Sequence, residues 1–416
     1  MICGKAECGM LYAVRKGGSS VGYCSLSIRC GTRDEEGYSS GIAHFVEHTL
    51  FKGTSGKKAS TINSYLDKLG GELNAYTTKE EIVLHATVLK EDLRKAGSLL
   101  MELATSPSFP EKEVNTERGV VIDEIRSYKD LPSEDIYDRF EERLFKEHPL
   151  SRPILGTEAS VRGISSKELL EFVRDKFVPQ AMAFTIVSGM EEKEMERLAI
   201  SLISKFFPAR FEGREIAGTA PEPSEYVKAL AGNKFDIVED KRNHEVNAVI
   251  GGLAPSLYDE KARLATILLS NILAGPASNS ILNLVLREKH GWVYAVESSY
   301  TQYSDTGILA LSLGCDKSNL DNCMAAIHKE ILKLQTIPLS PKSLKAAKKQ
   351  LLGQLAISSD NGEAQCLSMG KSLLAYGHID SDKTINEKID GITSEDILNM
   401  AVRIFNPENI SKLVYL

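Results

Sequence analysis

The chain has 416 residues, 42% of them hydrophobic, and a formal net charge of −7 with acids and bases mixed throughout. That length can build more than one core, and two domains or more are expected. No basic stripe argues for nucleic acid and no apolar run approaches the length that spans a bilayer, so neither partner is expected.

Taken from the start, Met1-Ile2-Cys3-Gly4-Lys5-Ala6-Glu7-Cys8 lacks the charged-then-apolar layout of a secretory leader. The seven cysteines are odd in number and contain no Cys-x-x-Cys, which indicates neither a disulfide framework nor a thiolate metal site. Both features lead us to expect a cytoplasmic protein. Residues 9–32 read as two strands around the turn Lys16-Gly17-Gly18-Ser19-Ser20, with Cys24 and Cys30 as small core residues.

A short helix is predicted over 40–51. Ser39, Ser40 and Gly41 offer an N-cap, and Lys52-Gly53 offers a stop. This helix carries His44-Phe45-Val46-Glu47-His48. Residues four apart share a helix face, so His44 and His48 can reach one metal ion together. Glu47 lies beside them, placed to hold a metal-bound water rather than to be a third ligand. The H-x-x-E-H order is the signature of inverted zincins, helical zinc sites that cleave peptide bonds. The bland alternative is an amphipathic helix that buries Ile42, Phe45 and Val46 and happens to carry two histidines.

A second helix is predicted at 58–69, ended by Gly70-Gly71, and residues 72–90 alternate in strand fashion. Pro110 can open a long helix running to about 129. A strand at 183–189 precedes a helix at 191–206. The stretch 208–225, rich in proline, glycine and charge, reads as a linker between a domain at 1–207 and another at 226–416. After it come strands near 226–239 and 245–252, helices at 257–274 and 278–289, and strands at 292–315. The first half has the same order, and Gly71-Glu72-Leu73-Asn74-Ala75 matches Gly291-Trp292-Val293-Tyr294-Ala295 at an offset of 220. The expectation is therefore an α+β protein of two structurally related domains, each a mostly antiparallel sheet packed with helices. Only the first carries H-x-x-E-H.

Catalytic zinc takes three protein ligands and a water, and two histidines with a glutamate form one established set. The helix at 110–129 supplies Glu111, Glu113, Glu117, Asp123 and Glu124. Glu117 and Glu124 lie two turns apart on one face, but spacing alone does not choose among these acids.

The segment His44-Phe45-Val46-Glu47-His48-Thr49-Leu50-Phe51-Lys52-Gly53-Thr54 resembles the active-site segment of the pitrilysin / mitochondrial processing peptidase family, the inverted zincin metallopeptidases. Gly31-Thr32-Arg33-Asp34-Glu35, Gly70 to Thr77, Glu117 to Glu124, and Leu286-Arg287-Glu288-Lys289-His290-Gly291-Trp292-Val293-Tyr294 resemble its other motifs, and the length fits short two-domain members. The resemblance implies one zinc ion per chain bound by His44, His48 and Glu124, with Glu47 as general base and Glu117 behind the ligands. It implies that Asn74 and Ala75 lie on an edge strand that pairs with extended substrate. Arg287 and Tyr294 would reach the site from the other half of an enclosed chamber, Tyr294 donating to the oxyanion.

The function so implied is a zinc metalloendopeptidase acting on peptides or unfolded polypeptides. Both motif sets are present and residues 273–283 hold no long glycine-rich loop, so a homodimer is expected over a heterodimer with a paralogue. The alternative is a non-catalytic scaffold or a subunit of a heterodimeric peptidase; the intact His44, Glu47, His48 and Glu124 argue against it.

Overall fold

The computed structural model describes residues 1–208 and 234–416; all but Pro208 of the expected linker lies outside them. The described residues pack as two units, and neither is a continuous stretch of chain. The first comprises 1–126, 152–208 and 356–379, and the second 127–151, 234–355 and 380–416. This differs from contiguous halves at 1–207 and 226–416, because each half lends one segment to the other unit.

The first unit is built on a six-stranded sheet. Its strands are β1 (Ile2–Lys5), β2 (Leu11–Lys16), β3 (Val21–Ile28), β4 (Glu72–Thr77), β5 (Ile82–Leu89) and β6 (Met182–Ser188). They lie in the order β1-β2-β6-β3-β5-β4, antiparallel except for β2 beside β6. The pleat sends successive side chains to opposite faces. Cys24, Leu26 and Ile28 of β3 join one core with α3 (Leu93–Thr105) and α8 (Glu192–Phe206). Ser25 and Ser27 face the other way.

Between the strands run α1 (Ile42–Leu50), α2 (Ala59–Asp67), α4 (Glu111–Lys129), α6 (Glu158–Gly163) and α7 (Ser166–Lys176), together with α5 (Pro132–Phe145), which belongs to the second unit. The predicted helices at 40–51, 58–69, 110–129 and 191–206 thus form with small changes at their ends. Strand β1 was not predicted.

The second unit has five strands, β7 (Asp236–Glu239), β8 (Val246–Ala254), β9 (Val293–Gln302), β10 (Gly307–Cys315) and β11 (Ser411–Tyr415), in the order β7-β11-β8-β10-β9. Here too a single pair, β11 with β7, is parallel. The order repeats β2-β6-β3-β5-β4 strand for strand, so the duplication expected from element order is present in the topology. Its helices are α9 (Glu260–Ala274), α10 (Leu320–Thr336), α11 (Pro341–Ser359), α13 (Asp382–Asp390) and α14 (Ser394–Ile404). The helix predicted at 278–289 includes a π-helical stretch, Asn283–Lys289.

The two lent segments do matching work. Helix α12 (Gly362–Tyr376), from the second half of the sequence, covers the second face of the first sheet, where Cys366, Met369 and Leu373 pack on Ala13, Ala183 and Val187. Two hydroxyls on that face are bonded internally: Ser25 and Thr185 share a 2.7 Å hydrogen bond, and the Thr185 hydroxyl donates to the Cys366 carbonyl. Gly370 permits the close approach, since a Cβ there would fall 2.4 Å from Ser27 Oγ. In the second unit α5, from the first half, covers the corresponding face. Ile136, Phe140, Leu144 and Phe145 pack on Val249, Ile308, Ala310 and Leu413. The fold is α+β, with two related sheet-and-helix units.

Candidate metal centre

Helix α1 is held by its apolar stripe. Ile42, Phe45, Val46 and Leu50 are fully buried, and this fixes His44, Glu47 and His48 on the adjoining face. Its N-terminus is capped from a distance. Gly41, at φ +85°, has no side chain to offer, and the oxygens of the buried Glu35 carboxyl group accept the backbone N–H groups of Gly41 and Ala43 instead. A Cβ on Gly41 would meet the Leu155 carbonyl oxygen at 2.7 Å, so only glycine fits there.

Helix α4 presents its acids from the facing side. Val114, Val121, Ile122 and Ile125 are buried along it. Arg118 sets its rotation by donating to the carbonyls of Val161 and Ile164 at 3.2 and 2.7 Å. Glu117 and Glu124 are thereby turned toward α1.

Three atoms converge. His44 Nε2 lies 3.8 Å and His48 Nε2 3.4 Å from Glu124 Oε2. Among the described residues this is the one group of three His, Cys, Asp or Glu whose candidate ligand atoms all lie within 4.8 Å of one another. The spacings are long for hydrogen bonds but close to the edge of a tetrahedron with bonds of about 2.0–2.1 Å, which is roughly 3.4 Å. Glu124 Oε2 is buried without a hydrogen-bond partner, and so is His44 Nδ1. An orphaned carboxylate oxygen between two imidazole nitrogens fits a divalent cation.

The charges point the same way. Burial and then the His48 ring push His44 down to about 4, favouring the neutral, ligating form. Burial alone would lower His48, but Glu117 and Glu124 raise it to about 9, so acids crowd this ring and favour positive charge beside it. The His48 ring outweighs burial, which raises the Glu124 carboxyl, and together with His44 holds it below its ordinary value. Burial raises Glu117, yet hydrogen bonds from His48 and Lys52 outweigh it and keep the carboxyl low. Burial raises Glu47 against a hydrogen bond from Thr77 and the nearby His48.

Residues 13–158 match the family described as Insulinase (Peptidase family M16), and residues 163–351 match the Peptidase M16 inactive domain. The chain belongs to peptidase family M16. This M16 chain is similar to an uncharacterised zinc protease of Rickettsia felis, 29% identical over 392 residues, covering 94% of this chain and 91% of the relative. An uncharacterised zinc protease of Bacillus subtilis is 27% identical over 388 residues, covering 93% and 91%. In fold it is similar to a Helicobacter pylori protease, with a TM-score of 0.87, 18% identity and coverage of 100% and 98%. It is also similar to a peptidase M16 inactive domain from Pseudomonas fluorescens, with a TM-score of 0.82, 17% identity and coverage of 100% and 97%.

Within this M16 chain the structure brings His44, His48, Glu124, Glu117 and Glu47 together in the first unit. Asn74 and Ala75 lie on β4, an edge strand of the same unit whose one strand neighbour among the described residues is β5. Asn74 is exposed. Arg287 and Tyr294 belong to the second unit, with both side chains exposed, and the Tyr294 hydroxyl donates to Asp316 Oδ1 at 2.7 Å. Three residues bear on the site without having been singled out from the sequence: Lys52, 2.7 Å from Glu117 Oε2, Thr77, bonded to Glu47, and Glu35 at the helix start. All three fall in the quoted motif stretches, which was the available signal.

Proposed function

We propose that this M16 chain is a zinc metalloendopeptidase that hydrolyses peptides or unfolded polypeptides within an enclosed chamber. The observation that carries the reading is the convergence of His44, His48 and Glu124 on one point with Glu47 beside them, in a chain whose curated relatives are named zinc proteases. A zinc ion held by these three residues would acidify a bound water and polarise the scissile carbonyl. Glu47 accepts the proton of the attacking water and delivers it to the leaving nitrogen. Glu117 holds the Nδ1 proton of His48 and so keeps that ring oriented.

Substrate adds as a strand along β4, through main-chain hydrogen bonds beside Asn74 and Ala75. The motif resemblance assigns Arg287 and Tyr294 to substrate, Tyr294 as a donor to the developing oxyanion. A homodimer is the proposed assembly. The cytoplasm is the proposed compartment, supported by seven unpaired cysteines. Among the described residues no helix is long and apolar enough to cross a membrane.

The test is metal content and cleavage of an internally quenched peptide by the purified chain, with a sizing column run alongside. Stoichiometric zinc and cleavage that disappears in Glu47→Gln, with the metal kept, are expected. Full activity in Glu47→Gln overturns the mechanism, and zinc without cleavage in the parent overturns the self-sufficient peptidase.

A further inference from the structure

The hydroxyl of Thr77 donates to Glu47 Oε2 at 2.6 Å. Among the described residues it is the one hydrogen-bond donor to that carboxylate. We propose that Thr77 is the positioning residue for Glu47, and that it ties the alignment of the base to the strand on which substrate docks. This rests on the reading of Glu47 as general base.

Helix α1 fixes the Glu47 backbone but not its carboxylate, because the terminal torsion of a glutamate is broad and two-fold. Something else must decide which oxygen faces the reacting centre. Thr77 is suited to do so. It ends β4 and pairs with Ile82 of β5, so its main chain is set by the sheet. Its branched Cβ leaves few choices at χ1, which aims the hydroxyl more tightly than a serine would.

The alternation of β4 turns Leu73, Ala75 and Thr77 toward α1, and Glu72, Asn74 and Tyr76 the other way. The hydroxyl that occupies one oxygen of Glu47 therefore hangs from the edge strand itself. With Oε2 engaged, Oε1 remains to take the proton of water. A peptide strand added to the outer edge of β4 registers against the same backbone that carries the Thr77 hydroxyl. Docking and alignment of the base thus share one rigid element, as near-attack geometry requires.

Thr77→Val keeps the shape and removes the donor. The expected result is a fall in kcat of about tenfold or more on a quenched peptide, a part of the roughly 10²–10⁴ that general-base catalysis supplies, with KM and zinc content at parental values. Thr77→Ser recovers most of the rate. In the Glu47→Gln background, the affinity for a fluorescein-labelled peptide, read by anisotropy, is the same with and without Thr77→Val. A parental kcat in Thr77→Val, with Glu47→Gln inactive, overturns this inference and leaves the peptidase reading standing. Weakened peptide binding or lost zinc in Thr77→Val also overturns it, since Thr77 would then serve the strand or the metal rather than the base. A zinc-loaded parent that cuts no peptide overturns the reading and this inference together.

Discussion

Glu117 Oε1 lies 2.9 Å from Nδ1 of His48, and this contact decides how the ring is used. An ionised carboxylate can only accept, so Nδ1 carries the proton and Nε2 is the nitrogen turned toward Glu124. Lys52 holds the other oxygen of Glu117 at 2.7 Å, which keeps that carboxylate ionised.

Glu117→Gln retains an acceptor for His48 but removes its charge. Zinc affinity is expected to fall about 10- to 100-fold, as for other outer partners of ligating histidines. Competition with a chelator of known affinity checks this. An affinity equal to the parent would show that orientation alone, without charge, suffices.

Glu124→Gln removes the anionic member of the converging set. The variant is expected to purify with far less than one zinc per chain and to lose peptide cleavage, whereas the parent stripped by chelator regains cleavage when zinc is returned. Elemental analysis alongside the peptide assay is the measurement.

Tyr294→Phe deletes one exposed hydroxyl. Turnover is expected to drop, up to about 100-fold if the phenol serves an oxyanion, with zinc content constant. Thermal stability should shift little, because an exposed polar substitution changes folding by roughly 0.5 kcal/mol or less. Unchanged turnover would remove Tyr294 from the chemistry.

Glu35 predicts a pH dependence of stability. Burial raises its carboxyl from 4.5 to about 8, although the N–H groups of Ala43 and Gly41, and then Arg152 and Lys79, pull it down. The folded chain therefore binds this proton more tightly than the unfolded chain. The stabilisation is complete below about 4.5, erodes as pH rises, and is gone above about 8. Glu35→Gln cannot ionise, so the melting temperature of the parent should fall relative to Glu35→Gln between pH 5 and pH 9, to be read by calorimetry at matched ionic strength. A constant difference across that range would refute the assignment.

Much of this site was legible because its signals are local. The four-residue spacing of His44 and His48, the stripe of Ile42, Phe45 and Val46, and Pro110 before α4 each speak for themselves within one helix. Glu124, the candidate third ligand, was not legible in that way, because α4 carries five acids and periodicity does not rank them. Thr77 and Lys52 were missed because their partners lie on other elements; Thr77 and Glu47 are 30 positions apart. Strand β1 is only four residues long, too short for alternation to stand out. The unit membership of α5 and α12 was also hidden, since an amphipathic pattern reports that a helix has a buried face and not which sheet it covers.

That exchange of helices sets an order on synthesis. The sheet of the unit that holds the candidate metal site has all its strands once residue 188 is made, yet Ala13, Ala183 and Val187 wait for α12, which ends at residue 376 of 416. Domains commonly complete themselves from the N-terminus as they leave the ribosome. Here the first unit cannot, and a nascent chain stopped within 208–225 should expose an apolar sheet face and bind holdase chaperones. Severing the chain there would not release a finished first unit, because the face packed by α12 would be left open.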